Sequence, residues 1–94
     1  MSKAEYKVEG GKLVRVKLEV RDGKISYVMI TGDFFMHPEE LIENLESFLV
    51  GCKLDEAEIK SNLMKFVEDN GVVLLGVSVD DFAKCIMKAG ESFG

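Results

Sequence analysis

The sequence predicts an α+β domain, in which a three-stranded antiparallel meander is followed by about three helices packed on one of its faces. Three observations predict it. Residues 13–21 alternate apolar and charged side chains, an Asp22-Gly23 turn follows them, and from Pro38 onward the apolar residues recur at helical spacing.

The strands come first. In "AEYKVEGGKLVRVKLEVRDGKISYVMIT", Val14, Val16, Leu18 and Val20 alternate with Arg15, Lys17, Glu19 and Arg21, the period of a sheet with one buried face. A short first strand is divided from the second by "EGGK", and the second from the third by "RDGK", where Asp-Gly supplies the positive φ of a tight hairpin.

The period changes at Pro38. Proline suits the first turn of a helix, where its missing N–H has no partner to lose, and Glu39 and Glu40 favour the positive helix end. Leu41, Ile42, Leu45, Phe48 and Leu49 then form one stripe, closed by Gly51. A second helix is expected from Asp55, with Glu58 at capping-box spacing, carrying Ile59, Leu63, Phe66 and Val67 and stopped by Asn70-Gly71. "VVLLG" reads equally as a short buried strand or an extended link. Ser78 with Asp81 opens a third helix, which carries Val79, Phe82, Ala83, Ile86 and Met87 on one face.

At 94 residues the chain is one domain, able to bury about 60–65% of its unfolded surface. The expected ordered core is residues 3–90, with 91–94 a loose tail. No apolar run approaches the roughly 20 residues that cross a bilayer, and "MSKAEYKVEG" has no signal-peptide character. A cytoplasmic location is therefore expected. Cys52 and Cys85 stand apart, outside any CxxC or Cys/His cluster, and read as free thiols. The net charge of −5 disfavours nucleic acid and anionic membranes as partners, yet its distribution is uneven. Residues 1–31 hold seven Lys/Arg against four Asp/Glu, whereas residues 32–94 hold five against thirteen.

No catalytic constellation is visible. His37 has no nucleophile beside it and reads as a loop or helix-cap residue, and no phosphate-binding loop with its Lys-Ser/Thr is present. Met29, Met36, Met64 and Met87 read as adaptable core or interface filler, and Glu39, Glu40, Glu43 and Glu46 as a solvated helix face without metal-ligand character. "GGKL", residues 10–13, is a hairpin turn that also allows backbone N–H groups and Lys12 to approach an anion. Arg15, Lys17 and Arg21 form a basic stripe on the open sheet face, either simply solvated or turned toward an anionic partner. The adjacent Phe34 and Phe35 stand at a strand-to-helix corner, where at least one is expected to close the core and the other is free to point outward.

"YKVEGGKLVRVKLEV", "DGKISYVMITGDFF" and "HPEELIENLESFLVG" resemble the C-terminal accessory domain of lipoate-protein ligases, over residues 4–51 in order and less distinctly over 52–90. G-K-L, D-G-x-I and G-D-F-F carry the resemblance. It implies an α+β accessory domain that assists ATP-dependent formation of lipoyl-adenylate, before the lipoyl group passes to a lysine of a carrier domain. Many relatives carry this domain behind a large catalytic one, and a chain of this length has no room for it, so a separate subunit is expected. On that basis the chain is not catalytic alone. ATP, Mg and lipoate would be held by a catalytic lipoate-protein ligase subunit, the direct partner, with lipoyl carrier domains met indirectly. The expected contact surface is the outer side of the corner, formed by Gly10, Gly11, Lys12, Gly32, Asp33, Phe34 and Phe35. Two other classes stay open: a small sulfur or iron–sulfur scaffold using the two thiols, and a protein-binding module unrelated to lipoate.

Overall fold

The computed structural model describes residues 2–91. The alternation in the first third becomes a meander of β1 (Ser2–Lys7), β2 (Leu13–Arg21) and β3 (Lys24–Gly32), in the order β1-β2-β3 with both pairings antiparallel. Val14, Val16 and Leu18 are at most 1% exposed, and side chains of this kind each contribute roughly 1.5–3 kcal/mol on burial. Asp22 and Gly23 take φ of 53° and 76°, the mirror-image turn whose twist matches its flanking strands. One register shift, at Glu19/Val20, bends the distal end of the hairpin.

Three helices cover the dry face: α1 (Leu41–Leu49), α2 (Glu56–Asn70) and α3 (Val79–Glu91). α3 lies on β1 and β2, α1 lies on β3, and α2 packs against the other two helices. Their buried residues follow the expected stripes: Leu45 and Leu49 from α1, Ile59, Leu63 and Phe66 from α2, and Phe82, Ala83 and Ile86 from α3, which adds Cys85 and Ala89. The caps also agree. Asp55 accepts from the Glu58 N–H at 3.0 Å, Gly71 ends α2 at φ 61°, and Ser78 and Asp81 bond each other reciprocally, N–H to carboxylate at 2.8 Å and N–H to hydroxyl at 3.3 Å.

Four local expectations need correction. α1 starts at Leu41 rather than Pro38, because Pro38 and Glu39 form a turn whose carbonyls accept the N–H groups of Leu41 and Ile42 at 3.2 Å. His37 and its neighbours are no loop: Phe35–His37 is a strand, β4, paired antiparallel with β5 (Val73–Leu75). That pairing also decides the alternative left open for residues 72–76 in favour of a strand. α3 continues to Glu91, one residue into the expected tail, and 92–94 lie outside the described residues.

The fourth correction concerns Glu46, which is not on a solvated face. β3 is an edge strand, and its exposed backbone is covered near both ends. Ile25 exchanges backbone bonds with Cys52 and Gly51 at 2.8 Å, and Glu46 reaches from α1 to accept the Ile30 N–H at 2.7 Å. Burial raises the Glu46 carboxyl above its ordinary range, the Ile30 N–H pulls it the other way, and neighbouring Glu43 raises it further. With the folded-state value raised, the linked stability is present in acid and is lost as pH rises through that value. Glu46→Gln, neutral and still an acceptor, is therefore expected to melt higher than wild type at pH 7, with the gap closing below the carboxylate range. Glu46→Ala, which leaves the Ile30 N–H bare, should cost about 1–2 kcal/mol. Thermal melts of the three proteins across pH check this, and a wild type more stable than Glu46→Gln at pH 7 would contradict it.

Candidate functional site

Where the sheet ends, Asp33 fastens the outgoing chain to the start of β2. Its carboxylate accepts the Leu13 N–H at 2.6 Å, and its own N–H donates to the Leu13 carbonyl at 3.2 Å. Gly32 sits so close to that carbonyl that a Cβ in its place would overlap the oxygen, and it would also meet the Phe34 ring at 2.9 Å. Only glycine fits.

From this fixed corner the two aromatics part. Phe34 turns in and meets Phe82 of α3 edge to face, with centroids 5.1 Å apart and planes at 72°. Phe35 turns out and is 53% exposed. The two-stranded ribbon then alternates. Met36 points inward at 5% exposure, with Leu74 half-buried opposite it, while Phe35 and His37 on β4 share the outer face with Leu75 and Val73 on β5, their register partners. Leu75 is 57% exposed and Val73 49%. The Phe35 and His37 rings lie parallel within 1°, centroids 6.4 Å apart. A shallow groove of 260 Å³ runs beside them, lined among others by Gly32, Phe34, Phe35, Glu39 and Ile42.

The β1–β2 turn flanks this ribbon. Val8 donates to the Lys12 carbonyl at 2.7 Å, and Gly10 and Gly11, at φ 102° and 101°, have open space where side chains would stand. The methylenes of Lys12 lie across Gly76, where a Cβ would come within 2.7 Å of the Lys12 Cγ, so Lys12 borders the end of β5. Of the seven residues expected at the contact surface, Gly32, Asp33, Phe35 and Lys12 thus meet around one corner. Gly10 and Gly11 form the neighbouring turn, and Phe34 is taken up by the core. The sequence reading missed Val73, Leu75, Gly76 and His37 as members of this surface. The apolar run "VVLL" was the available signal, but nothing local says which of its side chains face outward.

The thiols lie elsewhere, and each is held protonated. Cys52 is 7% exposed beside Asn62, whose amide donates to the sulfur at 3.1 Å, and burial raises its pKa above the ordinary thiol value. Cys85 is fully buried on α3, its S–H facing the carbonyls of Val14 and Ala4 at 3.6 and 3.7 Å, and burial pushes it up to about 11. Burial thus disfavours the thiolate that a nucleophile needs at both positions. Among the described residues no group of three or more His, Cys, Asp or Glu converges on a metal-sized site, and no helix is long and apolar enough to cross a membrane.

The sequence pattern of the family described as the bacterial lipoate protein ligase C-terminus matches residues 2–86. A Thermoplasma acidophilum protein called lipoate-protein ligase A subunit 2 is 31% identical over 86 residues, covering 92% of this chain and 87% of that one. Among solved structures, a chain of an archaeal lipoylation system from the same organism, comprising a bi-partite lipoate protein ligase and its E2 lipoyl domain, matches with a TM-score of 0.79 and 32% identity. That match covers 92% of this chain and 94% of the other.

The tight packing at Gly32 gives a direct test of the corner. Gly32→Ala forces the Leu13 carbonyl and the Asp33 clasp apart, an overpacking of backbone that should cost about 2 kcal/mol, whereas Thr31→Ala, one residue earlier on the open face, should change stability by less than about 0.5 kcal/mol. Urea unfolding of both variants checks the contrast, and equal midpoints would show that the corner yields without cost.

Proposed function

Since the chain belongs to the bacterial lipoate protein ligase C-terminus family, we propose that it is the non-catalytic accessory subunit of a two-chain lipoate-protein ligase. The observation that carries the reading is the outer face of the β4–β5 ribbon, where Phe35, Val73 and Leu75 are each about half exposed beside one another. Contiguous apolar groups on a paired, regular surface cost free energy in water and mark a protein contact. The occupant in this reading is the catalytic chain, with the corner at Gly32, Asp33 and Lys12 forming the rim.

The groove at this corner is poorly suited to hold the reactants. The groove beside Phe34 is lined mainly by apolar side chains, and the charge it does carry, on Glu39, opposes a nucleotide's phosphates. In this reading ATP, Mg and lipoate are held by the catalytic chain. What the accessory chain supplies is a rigid cover: closing beside the partner's site, it holds two anionic substrates in orientation and keeps water from the activated carboxyl. Transfer has another requirement. A folded carrier domain must bring its lysine to the mixed anhydride, which is already activated, so the cover is not needed for that chemistry. The setting of this assembly is the cytoplasm, a reading supported by the two free thiols.

The experiment supplies the catalytic chain alone, at saturating carrier domain, with either lipoate and ATP or preformed lipoyl-adenylate. Little modified carrier is expected in the first case and substantial product in the second. Adding this chain should restore the first. Comparable product from lipoate and ATP without it would refute the proposal.

A further inference from the structure

The accessory-subunit reading gives a role to the ribbon and the corner but none to the open face of the three-stranded sheet. That face has its own character. On β1 it carries Lys3, Glu5 and Lys7, on β2 Arg15, Lys17 and Glu19 with Arg21 at the far end, and on β3 Tyr27, Met29 and Thr31. A chain of net charge −5 thus gathers five cations and two carboxylates on one surface.

The register shows how those charges are arranged. Arg15 stands opposite Glu5 and pairs with it at 2.7 Å, so these two largely cancel. In the next row Lys3 stands directly opposite Lys17, with Met29 on the other side of Lys17. Side chains directly opposite on neighbouring strands have Cβ atoms roughly 4.5–5.5 Å apart, and like charges there destabilise the sheet. The pair borders a concavity of 520 Å³ lined by Lys3, Glu5, Arg15, Lys17 and Thr31. Two lysines at directly opposite register positions beside an open hollow, next to a 38% exposed Met29, form a surface to which a carboxylate-bearing partner would bring compensating charge.

Building on the accessory-subunit reading, we propose that this face is the docking surface for an acidic face of the protein that receives the lipoyl group, the carrier domain, which this chain then meets directly rather than only through the catalytic subunit. Charge narrows the occupant to a folded protein with an acidic face. A uniform phosphate array, as on nucleic acid or an anionic membrane, would also meet Glu5, Glu19 and the negative field of the whole chain, whereas a folded protein can present carboxylates to the lysines and leave those two positions clear. Tyr27, Met29 and Arg15 are residue types that protein interfaces favour. The two surfaces also suit two lifetimes. An apolar ribbon fits a subunit that stays, while a charged, solvated face gives fast, salt-sensitive association with a substrate that leaves after each turnover. Arg15 and Thr31 are the open-face row nearest Gly32, so the two partners would sit side by side at the corner.

The test uses the assembled two-chain ligase carrying Lys3→Glu and Lys17→Glu, with the carrier domain as varied substrate. At low salt the KM for the carrier should rise about tenfold, with the difference shrinking as ionic strength rises and the Debye length shortens. The rate at saturating carrier, adenylate formation and subunit affinity should be unchanged, and Lys3→Arg with Lys17→Arg should keep the wild-type KM. An unchanged KM in the Glu variant would overturn the proposal, as would a loss of subunit affinity or adenylate formation, which would assign the face to the catalytic chain. Tight binding of duplex DNA by the wild type, abolished in the Glu variant, would reassign it to nucleic acid. Failure of the wild-type chains to assemble at all would be a different result, refuting the accessory-subunit reading itself.

Discussion

Asp33 holds both backbone polar groups of Leu13, accepting its N–H and donating to its carbonyl, and this pair of hydrogen bonds fixes the direction in which the chain leaves the sheet. Everything beyond depends on that direction. With Gly32 allowing the close approach, the next aromatic inserts into the core against Phe82 and the one after it stands on the outside. β4 can then run antiparallel to β5, a segment more than thirty residues later, and present Phe35 beside Leu75.

The core gives the corner a firm base. The inward residues of all three strands and the buried stripes of three helices form one cluster, in which the largest side chains have almost no accessible surface. β3, the vulnerable edge, is covered by the 51–54 segment and by Glu46 rather than left to pair with another chain. The exposed apolar groups are therefore not a sign of a poorly made domain. Those on the helices, such as Phe48 and Met64, stand apart in separate elements, whereas Phe35, Val73 and Leu75 share one face of a ribbon.

What could be read from the sequence depends on how local each signal is. Val14, Val16 and Leu18 alternate over a few residues, Asp22-Gly23 sets its turn alone, and Ser78 with Asp81 caps a helix at three-residue spacing, so the meander, the helices and their caps were legible. β4 was not, because three residues are too few for periodicity and its partner strand is distant in sequence. Glu46 looked like its solvated neighbours, since nothing nearby shows that Ile30 lacks an acceptor on its free edge. Pro38 carries a sound helix-start signal, yet the turn it forms delays the helix by three residues. For the candidate surface, G-D-F-F marked the corner correctly, and the division of labour between Phe34 and Phe35 was foreseen in kind. The half contributed by Val73, Leu75 and Gly76 required the fold.

In the proposed assembly the outer ribbon face joins this chain to a catalytic subunit. This is tested most directly by titrating that subunit with the double variant Phe35→Ser, Leu75→Ser and with Met64→Ser, an exposed apolar residue on the outer side of α2 that serves as the matched control. Affinity at least tenfold weaker is predicted for the ribbon variant and unchanged affinity for the control, since a few central apolar residues carry most of an interface's binding energy. Equal affinities for the two variants, with both folded, would contradict it.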